Sequence, residues 1–384
     1  MIRITSKSQI KKNKKFKISD FKPFCFNEKK KYKIYEMPKF KSHFFKDQKN
    51  KDLKKNCLFI SGPARSGNHL LLSLLDNHPQ LGLEVGEDDM LRTVFSHVNN
   101  NETEVVKNLT SLSKSYILNL SGQPKMGVGK GLNKWKKLNE LNKKKISKTQ
   151  VWSGNQPEGE AHITDFQDMI QNIDYDNFEK FIVKNKKYKI KNFLGFFDFY
   201  LKAKSKLTKN KKFLKYGYRW CGSGLRRELF YLFERSNKIT CITPIRKFEN
   251  FYYSYAKTRH GTLKIEKKAL NDLWEHWRHK VIDYLILKEM YPNKIHLVKF
   301  EDLVSKPEKV SRELCKLLNI KFSKNMLKPT LLGKKHLGNS SFKKSLNNKG
   351  KIYKSSINRK LNGVKMPQEY SQIINLISKK AIKV

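Results

Sequence analysis

The sequence predicts an α/β fold, a three-layer sandwich in which a central parallel sheet lies between two layers of helices. Short apolar runs with strand character, such as residues 57–61 and 238–246, are each followed by a segment of helical periodicity. Strands that alternate with helices form parallel sheets that are covered on both faces. With 384 residues, of which 38% are hydrophobic, the chain can bury such a core.

The elements of the first half follow from periodicity and turn residues. Residues 57–61 are a compact apolar strand, and a helix begins near Ser66 with leucines along one face. A turn at His78-Pro79 leads into a second short strand within residues 78–85. Residues 93–212 are polar and rich in Lys and Asn, which predicts a helical and loop insertion that shapes an acceptor site.

The second half is more regular, and we predict one domain over residues 51–384. Residues 1–50 are expected to form a basic, weakly ordered arm. The predicted elements after the insertion are an apolar segment at 212–220, a helix at 223–236, a strand at 238–246, helices at 247–259 and 265–290, and a strand, acidic turn and helix within 294–320.

The cysteines limit the type of site. Their number is odd, no CxxC pair occurs, and they are widely spaced, which disfavours both a zinc site and a disulfide framework. We therefore expect no metal and a reducing, cytoplasmic setting. Cys57 and Cys241 lie in apolar strands and are predicted to be buried thiols. The five cysteines are Cys25, Cys57, Cys221, Cys241 and Cys315.

The net charge of +48 suggests a polyanionic partner. Lysine runs such as residues 184–193 are dispersed along the chain and show no recognisable nucleic-acid-binding signature, so a nucleic-acid partner is the weaker alternative. The charge is compatible with anionic substrates. No apolar run reaches about 18 residues, so no transmembrane segment is expected.

The stretch GPARSGNH, residues 62–69, joins the first strand to the first helix. A strand, a glycine-bearing turn and a helix start together form a phosphate-binding arrangement, because backbone N–H groups at a helix N-terminus attract anions. Asn68 and His69 stand where a Walker loop has Lys and Ser/Thr. A nucleotide kinase or NTPase is therefore disfavoured. Backbone amides with Arg65 pointing among them suit a phosphate without a metal.

A second anion site is expected at the end of the strand within residues 238–246. Arg246 ends this strand, and Ser254 follows eight residues later in the next helix. An arginine at this edge can bind a phosphate with two hydrogen bonds, and a serine can add a hydroxyl donor.

These stretches together resemble the PAPS-dependent sulfotransferases of the bacterial or carbohydrate type. PAPS is 3′-phosphoadenosine 5′-phosphosulfate. The likeness rests on GPARSGNHLL, IRKFENFYYSY, VKFEDLVSKPEKVSRELCKLLNI and the tail KGKIYKSS, and covers about residues 56–92 and 212–365. It implies a fold related to the P-loop nucleotide kinases. The family usually has PRSGTT in its first loop, where this chain has ARSGNH at 64–69.

The resemblance also implies which residues bind the cofactor. The first loop would bind the 5′-phosphosulfate, Arg246 and Ser254 the 3′-phosphate, and the tail would close over both. The two anion-binding groups are expected to lie a nucleoside's length apart. The implied cofactor-binding residues are Gly62, Pro63, Ala64, Arg65, Ser66, Gly67, Asn68, His69, Arg246, Ser254, Lys349, Gly350 and Lys351.

Catalysis would require cations at the bridging oxygen and a general base for an acceptor hydroxyl or amine. Arg65 and Arg219 are the predicted cations; Arg219 replaces a lysine usual in the family and cannot readily give up a proton. Glu87 is the predicted base, and its alternative is a solvated acidic turn. His162 and His260 are lesser candidates for the base. An anionic glycan is one candidate acceptor.

Two further groups are predicted to be structural. Glu301 and Asp302 follow a strand and precede a proline-started helix, a position in which a carboxylate caps nearby N–H groups. Trp274 and Trp277 lie on the long predicted helix and are expected in the core.

Overall fold

A computed structural model of the chain describes residues 2–3, 40–46, 52–76, 78–82, 90–112, 117, 175–207, 215–221, 224–260, 267–331, 333–335 and 350–384. Its central sheet has four parallel strands, β1 Cys57–Ile60, β2 Tyr218–Cys221, β3 Ile239–Ile245 and β4 Ile295–Lys299. Their order in the sheet is β2-β1-β3-β4. The predicted α/β fold with a central parallel sheet is confirmed.

Helices connect and cover the strands. The helix Met90–Thr110 contains a break at Asn101, where φ is −154° and ψ is 85°. The helices in chain order are α1 His43–Lys46, α2 Asn68–Leu75, α3 Met90–Thr110, α4 Tyr175–Lys184, α5 Phe193–Lys204, α6 Arg226–Phe233, α7 Phe248–His260, α8 Lys267–Met290, α9 Phe300–Ser305, α10 Pro307–Leu318 and α11 Gln368–Lys380. Short 3₁₀ turns lie at Ser205–Leu207, Lys324–Leu327 and Lys354–Ser356.

Two pairs of two-residue strands lie outside the central sheet. Ile2–Arg3 pairs in parallel with Val364–Lys365, and Thr330–Leu331 pairs antiparallel with Lys334–Lys335. At the β4 edge, Ala381 forms an isolated parallel bridge with Leu297. The residues after α11 therefore extend the hydrogen bonding of the sheet.

Both faces of the sheet are covered. All four residues of β1 are fully buried, and since side chains alternate between the two faces of a strand, helices must pack on each side. The helix α2 contacts β1 and β3, while α8 and α11 contact β4. Cys57 and Cys241 are buried as predicted, and burial raises the pKa of the Cys241 thiol to about 12.

An aromatic cluster joins the middle of the chain to the core. Phe193 of α5 stacks on Phe45 with 5.4 Å between ring centroids, and Phe197 stacks on Phe59 of β1 at 6.1 Å. Thus α5, within the predicted insertion 93–212, packs against the sheet. Phe45, within the predicted arm 1–50, is also buried. The domain boundaries and the acceptor-shaping role of 93–212 remain predictions.

Several smaller expectations have mixed outcomes. Trp274 and Trp277 are fully buried, as predicted. A short strand was predicted within residues 78–85. Leu81 forms only an isolated parallel bridge with Tyr216, and residues 83–85 lie outside the described residues. The predicted acidic turn after β4 is the short helix α9. None of the described helices is both long enough and apolar enough to cross a membrane.

Candidate functional site

The loop between β1 and α2 requires glycine at two positions. A Cβ atom at Gly62 would lie 2.5 Å from the carbonyl oxygen of Pro244, and one at Gly67 would lie 2.4 Å from the Phe300 ring. Gly67 also has φ of 103°, and Arg65 has φ of 63°. Left-handed residues of this kind curl a backbone into a concavity that exposes N–H groups to an anion.

The start of α2 supplies such N–H groups. Its N-cap is Gly67, which has no side chain to accept from the first turn. The Asn68 amide nitrogen instead donates back to the carbonyl oxygens of Gly62 and Pro63, at 3.3 and 3.4 Å. The buried hydroxyl of Ser66 has no hydrogen-bond partner among the described residues. This loop is therefore braced internally and suits an anion at its helix end.

Arg246 directly follows β3 and is only 4% exposed. Its Nη1 donates to the carbonyl oxygen of Arg65 at 3.2 Å, and its Nη2 donates to that of Ser356 at 2.7 Å. The guanidinium carbon lies 4.1 Å from the centroid of the Phe300 ring. The buried Nε has no partner among the residues that the structure describes. Arg246 thus retains an unused donor inside the site.

The electrostatics around Arg246 favour an added negative charge. Burial lowers the pKa of Arg246 to about 9; the Glu301 carboxylate opposes this shift, while the cations Arg359 and Arg65 reinforce it. A buried cation next to two further cations is costly to keep charged. An anion bound here would offset that cost.

Arg65 belongs to the same group as Arg246. Its Nε donates to the hydroxyl of Ser254 at 3.2 Å. The Arg65 side chain thus lies beside α7, and the expectation that it points among the loop amides stays a prediction. Arg65 and Arg246 come together for a topological reason: β1 and β3 are adjacent, and neighbouring strands lie only about 4.8 Å apart, so the segments after them meet.

Glu301 organises the base of this group, which confirms its predicted structural role. Its Oε1 accepts from the backbone N–H of Lys247 at 3.1 Å and from the Asn250 amide at 2.7 Å. It thereby caps the start of α7. Asp302 pairs instead with Lys299, with 2.7 Å between the charged atoms.

A segment near the C-terminus, residues 353–360, covers Arg246. The backbone N–H of Arg359 donates to the Asn250 side chain at 3.2 Å, and the Tyr253 hydroxyl donates to the carbonyl oxygen of Lys360 at 2.9 Å. The Arg359 guanidinium also lies 5.3 Å from the Tyr253 ring centroid. Two residues of α7 thus hold this segment in place.

The cofactor-binding role of Lys349, Gly350 and Lys351 stays a prediction, and other residues of the tail contact Arg246. Gly350 lies against Lys335: a Cβ atom at Gly350 would be 3.2 Å from the Lys335 Cγ. Lys351 is exposed. Ser356 contacts Arg246 instead, and Arg359 lies close enough to shift its pKa.

The structure describes some of the remaining predicted residues and not others. Gly62 and Pro63 are buried in the loop, and Ala64 and His69 are half-buried. Arg219 pairs in register with Leu58, two residues before the end of β2, and its side chain lies outside the description. His260 ends α7, and its side chain is likewise outside it. Glu87, His162 and Lys349 lie outside the described residues.

The helix α8 contributes two contacts that sequence reasoning missed. The Tyr284 hydroxyl pairs with that of Ser61 at 2.7 Å, and the Trp277 indole donates to the carbonyl oxygen of Arg246 at 2.8 Å. These residues are seven apart and therefore share a helix face. Two aromatic side chains seven residues apart, each with a polar atom that needs a hydrogen-bond partner when buried, could have indicated these contacts from the sequence.

Comparisons with known proteins give structural likenesses only; no family model and no curated protein matches the chain. A sulfotransferase domain from the curacin biosynthetic pathway is 18% identical with a TM-score of 0.45, covering 85% of this chain and 99% of that one. The sulfotransferase domain of the Synechococcus PCC 7002 olefin synthase is 16% identical, with a TM-score of 0.43 and coverages of 88% and 98%. Sulfotransferase STF9 from Mycobacterium avium is 10% identical, with a TM-score of 0.37 and coverages of 71% and 66%. At these TM-scores, the likenesses assign no residue roles.

Proposed function

We propose that the chain is a sulfotransferase that moves a sulfuryl group from PAPS to a hydroxyl or amine of an acceptor. The observation that carries the proposal is the junction of Arg246, Arg65 and Ser254 beside a glycine-bounded loop. A metal-dependent triphosphate site would need a lysine and a hydroxyl where the loop has Asn68 and His69.

The residues present fit a ligand that carries phosphates at two positions. The 5′ end suits the N–H groups at the start of α2 and the buried Ser66 hydroxyl. The 3′-phosphate suits Arg246, whose Nε has no partner among the described residues, and the Ser254 hydroxyl. On binding, a phosphate would replace the carbonyl oxygens that Arg246 now contacts. A charge-assisted hydrogen bond is stronger than the neutral one it replaces.

Different residues of the chain would have different roles in the transfer. PAPS, when bound, supplies the sulfuryl group. Backbone amides of the loop and the cations Arg65 and Arg219 would stabilise negative charge on the departing phosphate. Glu87 would accept the proton of the acceptor hydroxyl or amine. Residues 353–360 would exclude water from the phosphate beside Arg246.

The proposal extends to the acceptor and to the location of the protein in the cell. The proposed acceptor bears a hydroxyl or an amine, and an anionic glycan is one candidate because the chain is strongly basic. A cytoplasmic location is proposed because the five cysteines are widely spaced and include no CxxC pair. Cys57, Cys241 and Cys315 are free and buried.

Binding of the product 3′-phosphoadenosine 5′-phosphate (PAP) tests the proposal. At about 100 times its dissociation constant, a ligand stabilises a protein by ~2.7 kcal/mol, which raises the melting temperature measurably. We expect this shift in the wild type and its loss in Arg246→Ala. The control is Arg312→Ala, an exposed arginine paired with Glu308. Equal PAP shifts in both variants would remove Arg246 from the site, and no wild-type shift would refute PAPS use.

A further inference from the structure

The inner face of α8 runs along the carboxyl edge of the sheet. Trp277 is bonded to the carbonyl oxygen of Arg246 after β3, and Tyr284 is bonded to Ser61 after β1. Lys280 lies between these two residues, one helical turn before Tyr284, and so shares its face. The half-buried Lys280 is thereby held near the phosphate-binding loop.

Two cations converge on Gly224, which follows β2. The backbone N–H of Gly224 donates to the carbonyl oxygen of Gly62 at 3.0 Å, so this residue adjoins the loop. From the position that a Cβ atom would take at Gly224, the Lys280 Nζ lies 3.7 Å away and an Arg92 Nη 3.8 Å away. The two charges come from different helices, α3 and α8.

The strand order separates this pair from Arg246. In the order β2-β1-β3-β4, Arg246 follows β3 on one side of the central loop and Gly224 follows β2 on the other. If the nucleoside end of the cofactor lies toward β3, the sulfuryl end faces the β2 side. An acceptor must approach from there for in-line transfer.

The pKa of a neighbouring histidine reflects the positive charge around Lys280. His276, one turn before Lys280 on α8, has its pKa lowered to about 4, first by burial and then by the charges of Lys280, Arg226 and His279. The imidazole therefore stays neutral near pH 7 and adds no charge to that of Lys280 and Arg92.

We propose that Arg92 and Lys280 form an anion-binding subsite for the acceptor, which therefore carries a carboxylate, sulfate or phosphate group near its reacting hydroxyl or amine. The inference rests on the proposed function for the direction of the acceptor. The proposed substrate class is an acceptor that already carries a negative charge. The residues around Arg246 alone do not define this class.

Inorganic sulfate is the probe, added to protein saturated with PAP so that the cofactor's phosphate sites are filled. We expect saturable stabilisation of the wild type by sulfate at constant ionic strength, with an apparent affinity at least about tenfold weaker in Arg92→Gln and Lys280→Gln. Lys280→Arg keeps the charge and should keep most of the sulfate affinity. Lys316→Gln, at an exposed residue of α10, is the control for a general salt effect.

Each result decides the matter. An equal response in wild type, Arg92→Gln and Lys280→Gln would show a general salt effect and overturn the subsite. A tenfold loss of PAP affinity in those variants would place the two cations at the cofactor and overturn it as well. Failure of the proposed function is recognised separately, because PAP alone would then not stabilise the wild type. Sulfate binding that depends on Arg92 and Lys280 can still be measured in an Arg246→Ala background.

Discussion

The guanidinium of Arg246 donates to the carbonyl oxygen of Arg65, with 3.2 Å between the two atoms. This bond ties the end of β3 to the loop after β1. The Arg65 side chain in turn reaches Ser254 on α7. Two segments that are remote in the sequence thus present their cations to one place, and the predictions below test how that place is built.

Substitution of Gly67 separates backbone strain from steric overlap. Gly67→Ala would place a methyl group 2.4 Å from the Phe300 ring at φ of 103°. We expect a loss of unfolding free energy of about 2–4 kcal/mol, since the left-handed conformation alone costs about 1–2 kcal/mol. Gly363→Ala is the matched control: φ is 73°, and a Cβ atom there would have no atom of the described residues within 4 Å apart from its chain neighbours. Urea denaturation measures both; equal losses would exclude the overlap with Phe300.

Substitution of Glu301 should change stability and affinity in opposite directions. Glu301→Gln keeps an oxygen acceptor for Lys247 and Asn250 but removes the charge that favours protonated Arg246. We expect the free protein to lose about 1 kcal/mol, while PAP binds several-fold more tightly because repulsion of its phosphate is removed. Calorimetric titration measures the affinity. Glu308→Gln, an exposed carboxylate on α10, should change neither quantity appreciably; weaker PAP binding in Glu301→Gln would contradict this electrostatic account.

The assignment of Glu87 as general base predicts a purely kinetic defect. Glu87→Gln should bind PAP normally and lower turnover by about 10²-fold or more, because the proposed acceptor of the proton is removed. Turnover is measured with labelled PAPS and a panel of acceptors. Near-normal turnover would move the role to another residue, and His260→Gln is then the next variant to assay.

Acid should destabilise the protein through His276. Its pKa falls from 6.5 to about 4 on folding, so between these values the unfolded chain takes up a proton that the folded chain does not. Stability is therefore lost as pH falls through this window, by at most about 3 kcal/mol at ~1.4 kcal/mol for each pKa unit. Because His296 shifts in the same direction, urea denaturation at pH 7 and pH 4.5 should show a smaller acid loss in both His276→Gln and His296→Gln.

The cation Lys280 offers an independent check on this assignment. Lys280→Gln removes a charge that lowers the pKa of His276, so the imidazole should titrate at higher pH. An NMR titration of the His276 ring measures this directly. An unchanged titration would show that the charge of Lys280 does not contribute to the lowered pKa of His276.

Sequence reasoning located the elements that have a strong local pattern. The apolar runs at residues 57–61 and 238–246 correspond to β1 and β3, and the glycines of GPARSGN mark the tight loop between β1 and α2. These features depend on side-chain periodicity and on backbone conformations that only certain residues adopt. Such signals are present in a few consecutive residues.

Contacts made by main-chain atoms could not be predicted from the sequence. Ser356 reaches Arg246 through its carbonyl oxygen, which every residue possesses, so nothing in the sequence distinguishes it from Lys351. The path of the Arg65 side chain to Ser254 depends on which strands are neighbours, a property of topology. The helix α5 was obscure for another reason: it is apolar on most of its surface, and a helix buried all round lacks periodicity.

The contact between Arg246 and Ser356 also governs when binding competence can arise during biosynthesis. The two residues are separated by 110 positions, and the amide of Ile382 must still bond to Leu297 of β4 at 2.9 Å. Contacts of such long sequence separation form late because closing large loops costs entropy. A nascent chain in which residues 353–360 have not yet been synthesised would therefore expose an uncovered Arg246, and synthesis of this segment must precede any shielding of the arginine from water.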